Sequence, residues 1–196
     1  MKQIIEATME DSIAVKRRFI EQNTDTIADI AQRVADAMAS GHKVLLFGNG
    51  GSAADAQHIA AEFVNRFVVE RPPLAAIALT TDTSILTSIG NDYSYDEVFS
   101  KQIRALAQKD DVALGISTSG NSPNVIAAMT AAAELGVATI GWSGPGGRLP
   151  EVSDICLKVP STTTARIQEC HIMAAHIICD LVDRILFPNA FTEASS

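Results

Sequence analysis

The sequence predicts an α/β fold in three layers, a five-stranded parallel sheet sandwiched between helices. Three observations carry this reading. Five short apolar runs are spread along the chain, helical stretches separate them, and two of the runs end in loops of glycine or serine that open the next helix. Strands buried on both faces read as continuous apolar runs, and strands that alternate with helices pair in parallel through right-handed crossovers.

The elements follow in order. Residues 2–40 carry apolar side chains at helical spacing, Ile27, Ile30, Ala31, Val34 and Met38 among them, and the pattern predicts a helical pair broken near "EQNTD". Gly41 stops it, and "KVLLFG" is the first strand. "AAIAL" (75–79), "DVALGIS" (111–117), "VATIGWS" (137–143) and "ICLKVP" (155–160) are the others, with helices expected over 52–69, 82–89, 95–108, 123–135 and 165–187. The tail 189–196, after Pro188, has the composition of a disordered end. No repeat or linker divides residues 1–196, so one domain is expected. The last helix is apolar round most of its circumference (Ile167, Cys170, Ile172, Ile178, Leu181 and Ile185 are examples). The N-terminal pair is not needed to complete the sheet. Both features point to packing across a subunit interface.

Composition narrows the function classes. The 196 residues are 47% hydrophobic and 19% charged, as in a globular protein with a real core. The formal net charge is −8 with no lysine- or arginine-rich patch, which argues against nucleic-acid binding. No apolar run approaches the ~18 residues of a membrane span. "MKQIIEATMEDS" has no signal-peptide pattern, so a cytoplasmic location is expected. Cys156, Cys170 and Cys179 show no CxxC spacing and read as core residues, not as a disulfide framework or a zinc ligand set.

Three motifs carry chemistry. Gly48-Asn49-Gly50-Gly51-Ser52 joins a strand to a helix, where glycines let a ligand approach and the helix N-terminus attracts anions. It is neither the dinucleotide fingerprint nor a P-loop, and such a cluster also serves as a plain turn. "STSGNS" places Ser117, Thr118, Ser119 and Ser122 at the end of another strand, a donor-rich loop suited to a phosphate monoester. Ser122 before Pro123 also fits a simple helix cap. His58 and Glu62 share one helical face, four residues apart, and can ligate one metal or act as an acid–base pair. Solvated surface is the commoner fate of such a pair, but the neighbours in "AQHIAAEFV" are small and apolar. Gln168 and His176 lie on the last helix, where an unpaired imidazole in "MAAHIICD" would be costly. These two stand about 12 Å apart along the axis, so spacing alone leaves a joint site open.

Together "FGNGGS", the HxxxE of His58 and Glu62, "GND", "STSGNS" and "RIQECHIMAAH" resemble the phosphoheptose isomerases of the sugar isomerase (SIS) superfamily, over nearly the whole chain. The resemblance implies a flavodoxin-like five-stranded sheet and a homotetramer with active sites near subunit interfaces. It also implies interconversion of sedoheptulose 7-phosphate and manno-heptose 7-phosphate, an early step towards lipopolysaccharide heptose. Carried onto this chain, it implies one zinc ion per subunit held by His58, Glu62, Gln168 and His176. Substrate contacts would come from Asn49, Gly50, Gly51, Ser52, Glu62, Asn91, Asp92, Ser117, Thr118, Ser119, Ser122 and Gln168, and proton transfer from Glu62 and His176. One position departs from the pattern: Ala165 stands where some isomerases carry an aspartate before "RIQE", and Thr163 or Thr164 is the nearest replacement.

Two other readings compete. A non-catalytic SIS protein that associates with the bacterial replication initiator is also similar, through "NRF", "ERPPLAAIALTTD", "TARIQE" and "DLVDRILFP". It lacks a carboxylate and an imidazole at the places of Glu62 and His176, which this chain keeps. A sugar-phosphate sensor is the weaker rival, because no DNA-binding segment accompanies the module and the net charge is −8.

Overall fold

A computed structural model describes residues 1–193. Helix α1 (Lys2–Ala39) leads into β1 (Val44–Gly48), α2 (Gly51–Val64), β2 (Ala76–Ala78), α3 (Thr83–Asp92), α4 (Ser100–Leu106) and β3 (Val112–Ser117). Then come α5 (Pro123–Glu134), β4 (Ala138–Ser143), β5 (Ile155–Lys158), α6 (Thr164–Leu186) and α7 (Pro188–Glu193). All five strands are parallel, in the order β2-β1-β3-β4-β5.

The two faces of the sheet build two cores. Val44 and Leu46 of β1, with Leu114 and Trp142, pack against α1, α2 and α6. Leu45 and Phe47 point the other way, onto Phe99 just before α4, Ile103 of α4, and Val125 and Met129 of α5. This alternation is why β1 is apolar at every position: each face needs its own side chains. Trp142, Phe19, Phe47, Phe63 and Phe99 are fully buried, and each such ring contributes about 1.5–3 kcal/mol of hydrophobic stabilisation. Among the described residues no helix is long and apolar enough to cross a membrane.

Four expectations need correction. The N-terminal segment is one helix of 38 residues, not a pair broken at "EQNTD". The polar residues of that stretch are satisfied without leaving the helix. Asn23, buried, donates to the Phe19 carbonyl (2.8 Å) and across to the Lys158 carbonyl at the end of β5 (3.1 Å), and Thr24 donates to the Ile20 carbonyl (2.8 Å). The segment after Pro188 is helical through Glu193, with the Arg184 guanidinium over the Phe191 ring; only 194–196 of the expected tail lie outside the described residues. The helix expected over 52–69 ends at Val64. There the Arg71 guanidinium reaches back to the carbonyls of Glu62 (2.9 Å), Phe63 (2.8 Å) and Asn65 (3.4 Å), satisfying groups a continuing helix would have used. The stretch expected as one helix over 95–108 is a 3-10 turn, Tyr95–Glu97, followed by α4.

Candidate active site

The strand order fixes where a ligand can sit. From β1 the chain crosses to β2 on one side and later returns to β3 on the other, so the crevice opens between the carboxyl ends of β1 and β3. Both strands end there in one of the loops singled out above. After β1, Gly50 caps α2 with φ 56 and ψ −119, a backbone that side-chain-bearing residues rarely adopt. Gly51 is glycine for a different reason: a Cβ there would run into the side-chain amide of Gln168 on α6.

Asn49 ties the two loops together. Its side-chain amide exchanges two hydrogen bonds of 2.9 Å with that of Asn124 in the first turn of α5, and the Tyr95 hydroxyl donates to Asn49 Oδ1 (3.2 Å). The N-termini of α2 and α5 are thereby held side by side, two anion-attracting ends facing one crevice. Asn91 and Asp92 are exposed in the last turn of α3, just before Tyr95, and the Asn91 amide donates to Asp92 Oδ1 (2.8 Å).

In the serine loop Ser117 is buried and central. Its Oγ lies 2.8 Å from Ser122 Oγ and 3.4 Å from Ser119 Oγ, and the Ser119 hydroxyl accepts from the Asn121 N–H (3.1 Å). Ser122 occupies the cap position of α5, yet its side chain makes no cap hydrogen bond and turns to Ser117 instead. The simple-cap reading therefore does not account for Ser122. Thr118 is half-buried beside them.

The second half of the site forms where α2 and α6 run alongside each other. His58 Nε2 lies 3.0 Å from His176 Nε2 and 3.1 Å from Glu62 Oε1, and one ligand atom from each of the three falls within 4.8 Å of the others. The Phe67 ring stacks on His176 with centroids 5.5 Å apart and covers one side. Two imidazole nitrogens and a carboxylate oxygen converge on a half-exposed point, a group that could hold a metal ion. Gln168 lies on the same helix as His176, with its side-chain amide beside the glycine turn. It lies over Gly51, while His176, two turns further along α6, meets His58, two turns further along α2. Ser52 is buried in the first turn of α2, whereas Thr163, Thr164 and Ala165 are exposed at the start of α6.

Sequence reasoning passed over three side chains here. Asp55 lies one turn before His58, with one carboxylate oxygen buried and without a partner. Burial raises its pKa above the ordinary carboxylate value, against the pull of His58. An acid three residues ahead of a histidine in an apolar helix was the available signal. Tyr95 and Phe67 gave none, because each reaches the site only through tertiary packing. His171, by contrast, belongs to the "RIQECHIMAAH" motif but not to the crevice. It is fully buried near Trp142, and burial lowers its pKa to about 4 despite a 3.4 Å contact with the Ser143 carbonyl.

Comparison with known proteins agrees with this geometry. The SIS domain family matches residues 9–144. The phosphoheptose isomerase of Nitratidesulfovibrio vulgaris strain Hildenborough is 54% identical over 95% of this chain and 89% of its own length. That of Roseiflexus sp. strain RS-1 is 59% identical over 91% of each chain. The solved structure of the Neisseria gonorrhoeae phosphoheptose isomerase superposes with a TM-score of 0.88 at 45% identity, over 93% of this chain and 98% of that one. With its crevice at the β1–β3 switch point, its glycine and serine loops tied side by side and this degree of likeness, the chain belongs to the SIS domain family and, within it, to the phosphoheptose isomerases.

Proposed function

We propose that the crevice interconverts D-sedoheptulose 7-phosphate and D-glycero-D-manno-heptose 7-phosphate, with the phosphate in the serine loop and the reacting carbons beside His58, Glu62 and His176. The observation that carries this is the meeting of those three side chains within one site that also holds two helix N-termini. A phosphate monoester suits Ser119, Ser122 and Thr118, with N–H groups of α5, and anchoring it fixes the sugar's position. Gly50, Gly51 and Ser52 line the path of the chain, with Asn49 held by Asn124 and Tyr95, and with Asn91 and Asp92 at the rim.

Aldose–ketose isomerisation removes a proton from C2 of the aldose, passes through an enediol, and returns a proton to C1. It needs positioned acid–base groups at those carbons. Glu62 and His176 supply them, with one Glu62 oxygen turned to His58 and the other left for the substrate proton. His58, Glu62 and His176 fit a bound zinc ion, one per subunit, with Gln168 reaching it or the substrate from the glycine turn. A zinc ion there would polarise the carbonyl or order its ligands.

The proposal includes a tetramer in the cytoplasm. Ile4, Ile5, Met9 and Ile13 of α1 are exposed, and Ile13, Ile20 and Met173 line an apolar groove of about 460 Å³ between α1 and α6, surfaces suited to a further copy of this chain.

The test is turnover of sedoheptulose 7-phosphate by metal-free and zinc-reloaded protein. Turnover restored by zinc supports the proposal. No turnover with any divalent metal, together with binding to a replication initiator, would transfer the chain to the non-catalytic class.

A further inference from the structure

The metal trio draws His58 and Glu62 from α2 and His176 from α6, so its geometry depends on how firmly the two helices hold their relative position. We infer that the buried Arg71–Asp183 pair is a clamp that sets this position and tunes metal affinity. The inference rests on the metal reading given above.

Arg71 and Asp183 are both fully buried as side chains, and Arg71 Nε donates to Asp183 Oδ1 at 2.7 Å. The rest of the guanidinium is spent on the end of α2. Nη2 donates to the carbonyl of Glu62 itself (2.9 Å), and Nη1 to the carbonyls of Phe63 (2.8 Å), Asn65 (3.4 Å) and Pro72 (3.1 Å). Asp183 follows His176 on α6 by seven residues, two turns, and so projects from the same helical face. One planar group thus grips the backbone of a trio member and the face that carries another.

Stability alone does not explain the pair. A buried ion pair is often no better than apolar residues of equal volume, and here Asp183 Oδ2 is buried without a partner. Directional bonds from a rigid five-donor fork supply position, which a pair of apolar side chains does not. Groups that orient metal ligands typically alter affinity by about 10–100-fold when removed.

The experiment measures zinc dissociation constants by competition with a chromophoric chelator, alongside thermal melts. Arg71→Lys and Asp183→Asn are the direct variants. The double variant Arg71→Met with Asp183→Leu guards against misfolding, because it leaves no lone buried charge. Met129→Ala, in the core on the opposite side of the sheet, is the stability control. Zinc binding weakened about tenfold or more in a folded clamp variant, with parental affinity in Met129→Ala, supports the clamp. Parental zinc affinity in the folded double variant overturns it, as does an equal loss in Met129→Ala. A parent protein that binds no zinc overturns the metal reading and this inference with it.

Discussion

Replacing Glu62 by glutamine separates catalysis from folding. The substitution keeps size and one amide oxygen but removes the charge and the capacity to accept a proton. Its structural cost is small. The lost partner is His58, an i,i+4 contact of 3.1 Å with the Glu62 side chain a quarter exposed and His58 nearly half exposed. Pairs of this kind contribute about 0.3–0.5 kcal/mol, a change in Tm of roughly 1–2 °C for a domain of this size. Proton transfer by one positioned group contributes about 10²–10⁴-fold, so kcat should fall at least a hundredfold, about 2.7 kcal/mol of barrier. The assay is steady-state turnover of sedoheptulose 7-phosphate with a thermal melt on the same sample. His176→Gln should behave likewise, and the double variant should be little worse than either single one if both groups serve one proton path. Near-parental turnover in a folded Glu62→Gln protein would refute the assignment.

Ser119→Ala and Ser122→Ala should raise KM about tenfold or more each, since hydrogen bonds to a charged group are worth about 1.5–3 kcal/mol; a loss confined to kcat would sink the phosphate placement. Sedimentation should find an assembly larger than a monomer at micromolar concentration, and a 20.8 kDa species alone would contradict the interface drawn from α1 and α6. His171 has its folded pKa lowered by burial from 6.5 to about 4, so the unfolded chain binds the extra proton between those values. Stability should therefore fall as pH drops from about 6.5 towards 4, by up to about 3 kcal/mol from this residue. Urea unfolding at pH 7 and pH 4.5 should show a smaller loss in His171→Phe, and parallel losses would refute the attribution.

The sheet was legible because each strand is a short apolar run bounded by turn residues, and the central strands β1, β3 and β4 are buried on both faces and so apolar along most of their length. The positions of the two loops were legible because glycines and clustered hydroxyls punctuate the ends of β1 and β3, where a helix begins. What the pattern could not supply were side chains acting at a distance. Asn23 reads locally as a break but is satisfied by the Lys158 carbonyl from β5. The end of α2 is fixed by the guanidinium of Arg71, which lies beyond the helix itself. Spacing on α6 left a shared site for Gln168 and His176 undecided. The contacts that place them, Gln168 at Gly51 and His176 at His58, come from α2, a partner that spacing on α6 alone does not reveal.

His58 and His176 lie 118 positions apart, whereas Asn49 meets Asn124 across 75. The anion cradle is therefore complete once β1 and β3 have paired and α5 has formed, while the trio waits for the last long helix to dock. During synthesis a ribosome-bound chain would bring the two loops together before it brings the trio together. The trio comes together only after α6 has been made and docked, because contacts of larger sequence separation cost more loop-closure entropy.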